Sequence, residues 1–381
     1  VGAALALAVH RVALARLGDP TAAWLLGAAA LFYKPWLDAV LYDFHPELLF
    51  PVTLLAAYLA ATRGAGAVAY WTLIALSLSI KEDMALYVVG FGLLMAWLLP
   101  AARRRALATV AVSVLWFVLV LGVVIPALRA GSGLPADYVY ASLWSHLGDS
   151  LPEVAWRAVS DPGAVVQGVD LRRTVGAIVS MLGPLLLLPL GSRWVLGALI
   201  PLGVLATSSS PVMQGLGLHY AAPLIGFAWL ATIETLRWLG QRPVDAGADS
   251  GFLSRLRGRS GLVAAVAAVV LVVCLASTRW SVVRPRSYAG LAERAAVLEA
   301  LAALPGDASV AAQSSLLPHV PKRWGMRMLP TIDESEYVLL DTALNPWPLS
   351  GQELHALRAD LIRRDFEVIV ARDAVMLLRR P

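Results

Sequence analysis

Two short polar clusters interrupt an apolar sequence, and their residue types are ones that do chemistry. The first is Asp43, Phe44, His45, Pro46 and Glu47, and the second is Lys81, Glu82 and Asp83. A carboxylate can take the proton from an attacking hydroxyl. A positive charge can steady a departing phosphate, and a lysine does so as a compact point charge. Carboxylates beside a histidine can instead hold a divalent ion. His219 is a further candidate for the same group. Two plainer readings stay open. The clusters can be solvated helix ends, where charged residues concentrate, or a charge pair that staples two helix ends together. His45 reads equally well as a capping or interface histidine. Pro46 suits the first turn of a following helix, and Asp43 suits a cap near it.

The elements that must position these groups are apolar. Stretches 48–62 and 66–80 separate the clusters and are broken by Thr62, Arg63 and Gly64. If both cross a membrane, the chain goes over and returns, and both clusters lie on one side at one depth. Composition supports such an environment. The chain is 59% hydrophobic and 15% charged, with a mean hydropathy of +0.70, whereas a soluble domain is nearer half apolar and a quarter charged. The reading is a polytopic α-helical membrane protein. The net charge of +5 fits arginines in cytoplasmic loops and gives no reason to invoke nucleic acid. The single cysteine, Cys274, excludes an intrachain disulfide and a cysteine metal site.

Arg103, Arg104 and Arg105 are the strongest orientation signal and mark the cytoplasm. Counting from them places the rest. Residues 1–17 end a segment at the cytoplasm, and 21–41 form the next span, with Lys34 and Asp38 spaced to pair on one face. Tyr33, Trp36 and Tyr42 read as interface aromatics, and Pro35 kinks or ends the helix. Segments 66–80 and 84–99 meet at Lys81–Asp83, 107–128 leaves the cytoplasm, and 130–173 is extracytoplasmic. Tyr138, Tyr140, Trp144 and Trp156 make that loop an amphipathic stretch on the membrane surface. Residues 174–191 re-enter, Arg193 turns, and 194–206 goes out. The span 221–238 returns to a loop, 239–260, whose Arg242, Arg255, Arg257 and Arg259 again indicate the cytoplasm. Span 261–279 goes out last.

The transmembrane domain therefore covers 1–280, and 284–381 forms a small extracytoplasmic α/β domain. Residues 287–304 read as an amphipathic helix ending before Pro305 and Gly306. Runs 309–313, 337–341 and 366–371 read as buried strands, 352–364 as a helix, and Val375–Arg379 as a hairpin partner. The domain holds no glycine-rich phosphate loop and no zinc-protease motif. His319 and Arg323 sit in a polar turn there; they can bind a phosphate, but a solvated loop is the plainer reading. His10, His146 and His355 read as structural. Val1 falls inside an apolar run, which reads as truncation within a longer protein.

The run from Asp43 to Glu47 and the later Lys81-Glu82-Asp83 resemble a family of bacterial membrane proteins numbered 2079 among the domains of unknown function. Ser309-Val310-Ala311-Ala312-Gln313, Pro318-His319, Arg323 and Tyr337-Val338-Leu339-Leu340-Asp341 carry the same resemblance, in order, across nearly the whole chain. The family is similar in layout to the GT-C glycosyltransferases. That likeness implies a GT-C-like transmembrane bundle that transfers sugar from a polyprenyl-phosphate donor to a cell-envelope acceptor at the outer face. It also implies spans before Val1 and an acidic catalytic residue in a first outer loop, so the catalytic base is expected outside this chain and the fragment is expected to be inactive alone. The candidate site for substrate or lipid phosphate is Asp43, His45, Glu47, Lys81, Glu82, Asp83 and His219, with His319 and Arg323 as lesser candidates. No cofactor is identified by these residues, and the carboxylate–histidine set admits a divalent metal. A transporter or lipid flippase, and a non-catalytic envelope scaffold, are the rival classes. Neither an internal repeat nor a mid-membrane polar group favours transport.

Overall fold

The computed structural model describes residues 2–42, 45–64, 66–131, 139–241, 259–278, 280, 291–321 and 325–381. The chain divides into two compact units, Val1–Arg279 and Trp280–Pro381. The first is helical, and the second carries a small sheet.

In the first unit, α1 (Gly2–Leu17) and α2 (Pro20–Phe32) form an antiparallel pair. Asp19 caps α2 by accepting from the amides of Thr21 and Ala22, and Pro20 fills its first turn. The span expected over 21–41 is two helices. Its backbone turns extended at Tyr33, and α3 (Lys34–Tyr42) begins with Pro35 in its first turn, where the missing amide hydrogen costs nothing. Lys34 pairs with Asp38 at 2.5 Å, four residues on. Tyr33 and Trp36 were expected at a lipid interface, but both are fully buried. The Tyr33 hydroxyl donates to the carbonyl of Met181 at 2.6 Å, which ties α3 inward.

The helices α4 (Phe50–Thr62), α5 (Ala67–Ile80), α6 (Met84–Leu98) and α7 (Arg103–Leu119) follow. A five-residue π-helical stretch, Val120–Val124, joins α7 to α8 (Ile125–Gly131). Beyond the short α9 (Leu151–Ser160) and α10 (Pro162–Gln167), the expected continuous spans 174–191 and 194–206 are broken. They comprise α11 (Leu171–Leu182), the 3-10 segments Gly183–Leu185, Leu188–Gly191 and Arg193–Ala198, and α12 (Leu199–Ala206). Pro184 and Pro189 each remove a helical donor, and Leu186 and Leu187 adopt left-handed backbone between them. After α13 (Pro211–Gln214), the long α14 (Ala222–Gln241) runs through the centre, and α15 (Arg259–Ser277) packs on α2 and α14.

Among the described residues, two apolar helical segments are long enough to cross a membrane, Pro100–Ala130 and Pro211–Gln241, each of 31 residues. They occupy opposite places. In its most apolar stretch the second is 83% buried and the first 11%. The other apolar helices have 10–17 residues, below the roughly 20 residues that cover a bilayer core. Close packing holds the unit together. Small residues line the contacts, including Ala22, Ala23, Ala29, Ala30, Ala228 and Ala231, all at most 1% exposed. Such residues let backbones approach closely, the main source of helix association in an apolar solvent. At Gly226 an added Cβ would lie 3.0 Å from the Pro51 Cα, so α14 lies directly against α4.

Among the described residues the second unit has five strands: β1 (Val310–Ala312), β2 (Met326–Met328), β3 (Tyr337–Asp341), β4 (Glu367–Arg372) and β5 (Val375–Arg379). Their order is β2-β1-β3-β5-β4. The first three run parallel, and β5 is antiparallel to β3 and β4. β2 is not expected from the sequence, because three residues, Met326-Arg327-Met328, are too few to show a strand pattern. The helices α16 (Leu291–Ala302) and α17 (Gly351–Arg363) complete the unit. A reciprocal Ser350–Glu353 capping box starts α17.

Candidate functional site

The site is assembled where five helix ends meet. Pro51 faces Gly226, and the Tyr58 hydroxyl reaches Glu234 at 2.7 Å, so α4 and α14 run parallel and start together. Immediately before α4 is the 3-10 turn Pro46–Leu49, with His45 extended at its N-cap. Immediately before α14 is the 3-10 turn Leu218–Ala221, which carries His219 and packs on the end of α3. The Ser77 hydroxyl donates to that of Thr53 at 2.7 Å, so α5 runs against α4 and ends beside its start. Lys81 follows in extended conformation, and Asp83 sits at the N-cap of α6.

The result is a convergence that sequence spacing left undecided. Glu47 is 7% exposed. Its Oε1 lies 3.2 Å from the Lys81 Nζ and 3.9 Å from the His219 Nε2, and its Oε2 lies 3.9 Å from the His45 Nδ1. The lysine contact is a charge-assisted hydrogen bond, whereas 3.9 Å is too long for one. The His45 and His219 rings stack 3.6 Å apart at 16°. Tyr42 continues the stack, 5.8 Å from His45, and Tyr220 lies 4.3 Å from His219. Lys81 is held well above the ordinary lysine range. Burial alone would lower it, but the charges of Asp83, Glu47 and Glu82 outweigh burial. Asp83 is pushed above the usual aspartate range, chiefly by burial, against the pull of Lys81. One Asp83 oxygen accepts from the Tyr87 hydroxyl at 3.0 Å; the other is buried with no hydrogen-bond partner among the described residues.

Of the residues singled out from sequence, His45, Glu47, Lys81 and His219 come into one group, and Glu82 and Asp83 act on it through Lys81. Asp43 and Arg323 lie outside the described residues. His319 is exposed on the turn Leu317–His319 of the second unit and makes no cluster among the described residues. Tyr42, Tyr87 and Tyr220 were not read as site residues. Their signal was adjacency: Tyr42 precedes Asp43, Tyr220 follows His219, and Tyr87 lies one helical turn after Asp83.

The opposite end of the bundle has different chemistry. Glu234 accepts from Arg16 at 2.5 and 3.2 Å, from Tyr58 at 2.7 Å and from Arg237 at 3.2 Å. Arg105 stands over the Tyr70 ring at 5.1 Å, and Arg193 over Trp97 at 5.0 Å. Arginines thus pair or stack at one end, while carboxylates, histidines and one lysine gather at the other.

The profile of a family described as "Predicted membrane protein (DUF2079)" matches residues 2–377. The chain belongs to this family. The match takes in both compact units and every residue of the cluster, so the protein is a membrane protein of this family, whose name records no activity. No curated protein and no solved structure matches the chain. The chemistry on offer is that of the chain's own groups. Those groups are a buried carboxylate that can accept a proton or a cation, an ammonium that can meet an anion, and two imidazoles that can shuttle a proton or ligate a metal.

Proposed function

We propose that the protein is a multi-pass membrane protein whose Glu47–Lys81 end faces out of the cytoplasm and binds the phosphate of a polyprenyl-phosphate-linked sugar. On this reading it is a GT-C-like glycosyltransferase or a relative, and the C-terminal α/β domain is extracytoplasmic and meets the cell-envelope acceptor. The observation that carries the reading is the convergence of Glu47, Lys81, His45 and His219 from three separate stretches of sequence. Lys81 keeps its charge there and is 29% exposed, so an incoming phosphate oxygen can meet it. Orientation follows from the arginines at the other end, since cytoplasmic ends collect arginine. The exposed apolar side chains of Trp156, Val159, Val166 and Leu171 suit short helices lying at a membrane surface.

Lipid transport is the second reading. The broken segment from Gly183 to Ala198 favours it, because transporters place interrupted helices at their sites. That segment holds Arg193 as its one ionisable residue, which ranks it below the cluster.

The test is retention of polyprenyl phosphate by the purified protein in native mass spectrometry. The wild type is compared with a Lys81→Ala, Glu82→Ala double variant of verified fold. Retention by the wild type that is lost in the variant supports the reading. Equal or absent retention in both removes it and moves the scaffold and transport readings ahead.

A further inference from the structure

We propose that His45, Glu47 and His219 form a binding site for one divalent transition-metal ion of the zinc class. The inference uses the cluster described above but does not depend on its lipid ligand. Each residue offers one ligand atom, and the three atoms lie within 4.8 Å of one another. The two histidine-to-carboxylate separations are both 3.9 Å. That is too far for a proton to bridge and within about half an ångström of the spacing a metal imposes, since two bonds of about 2.1 Å at a tetrahedral ion hold donor atoms about 3.4 Å apart. Closing the set therefore needs movements of under about 1 Å.

The surroundings permit that closure. The His45 and His219 rings stack 3.6 Å apart and within 16° of parallel. An imidazole binds a metal in its own ring plane, so one ring must turn for both to reach one ion. His45 Nδ1 and His219 Nε2 already lie 3.9 Å from the two oxygens of a single carboxylate. His45 is 29% exposed and makes no capping hydrogen bond with its side chain, so its ring can turn. Glu47 and His219 are held by the starts of α4 and α14, which the Pro51–Gly226 contact fixes in register. Two imidazoles with one carboxylate are a zinc-type set with a fourth position left open. Imidazole donors suit zinc and its neighbours, whereas magnesium and calcium prefer an all-oxygen shell. The open position would take water or a phosphate oxygen.

Lys81 makes the proposal sharp. Its ammonium lies 3.2 Å from the same Oε1 that faces His219. Ammonium and metal are thus alternative cations for one buried carboxylate. Removing the lysine frees that oxygen for the metal, while removing a histidine takes a ligand away.

The experiment uses the full chain in detergent, stripped with a chelator and titrated with Zn2+ against a chromogenic competitor, with no lipid added. The expected result is one Zn2+ per chain and no comparable binding of Mg2+. His219→Ala and His45→Gln each weaken Zn2+ binding by about tenfold or more, because even outer partners of a metal site cost that much. Lys81→Ala tightens it, and His319→Ala leaves it unchanged. His45→Gln, at the more exposed ligand, keeps the test valid if His219→Ala fails to fold. Replacement by Co2+ should give the visible absorption of a tetrahedral site. Absence of stoichiometric Zn2+, full affinity in either histidine variant, or unchanged or weaker binding in Lys81→Ala overturns the proposal. Failure here leaves the lipid-retention result standing, and loss of lipid retention leaves the Zn2+ titration standing.

Discussion

Glu234→Ala should cost the helical unit about 3 kcal/mol, since removing one partner of a buried pair typically costs 3–5 kcal/mol and here part of the loss returns as hydration. The change strands several donors at once. Arg16 loses two contacts, at 2.5 and 3.2 Å, and the hydroxyl of the fully buried Tyr58 loses its acceptor at 2.7 Å. Arg16 is 18% exposed and Arg237 37% exposed, so water reaches both guanidinium groups and the estimate sits at the low end of the range. Glu234→Gln keeps the volume and one acceptor and should cost about half as much, near the value of a single hydrogen bond to a charged group. Adding Arg16→Met to Glu234→Ala removes the stranded cation, so the double variant should be more stable than the summed single effects by about 1 kcal/mol or more. The assay is equilibrium unfolding in mixed micelles of rising SDS fraction, followed by tryptophan fluorescence and circular dichroism. Because the network lies at the end of α4 and α14 away from Glu47, folded Glu234 variants should keep lipid retention and Zn2+ affinity. A Glu234→Ala cost below about 0.5 kcal/mol, the range of an ordinary surface change, or strict additivity with Arg16→Met, would refute the reasoning.

Two further outcomes are expected from the packing and the charges. At Gly197 an added Cβ would lie 2.3 Å from the Phe227 ring and 2.9 Å from the Leu94 side chain. Gly197→Ala should therefore destabilise by about 1–3 kcal/mol, the usual cost of overpacking, in the same unfolding assay. Asp83 has its folded pKa raised by burial. Its favourable contribution is present below the unfolded aspartate value of about 3.9 and is lost as pH rises through the folded value. Asp83→Asn should thus gain stability relative to wild type as pH rises above about 4, and a difference that is flat or falls with rising pH would rule this out.

Much of the local structure was legible because it depends on local chemistry. Pro35 announced the break between α2 and α3, the Lys34–Asp38 spacing announced their pair, and the C-terminal runs announced the main strands. The broken passage from Gly183 to Ala198 was hidden. Hydropathy scores its leucines alike, whether the backbone is α-helical, 3-10 or left-handed, and burial against α14 supplies what helical propensity lacks. Tyr33 and Trp36 misled for a related reason, since an amphipathic ring suits an interface or a core with equal ease, and only their neighbours decide.

By itself the sequence determined that this is an apolar, helix-rich chain with sparse charged groups, several of them clustered at breaks, a small α/β domain after it, and the residues that mark its family. Those properties are set by composition and by contacts a few residues apart. Only the tertiary structure decided that Glu47 meets Lys81 and two histidines, with His219 more than 170 residues away in sequence, and that Glu234 gathers Arg16, Tyr58 and Arg237 at the other end. Such meetings depend on helix direction and register. These are fixed by close contacts such as Gly226 on Pro51, and the apolar stretches between the clusters carry no trace of them.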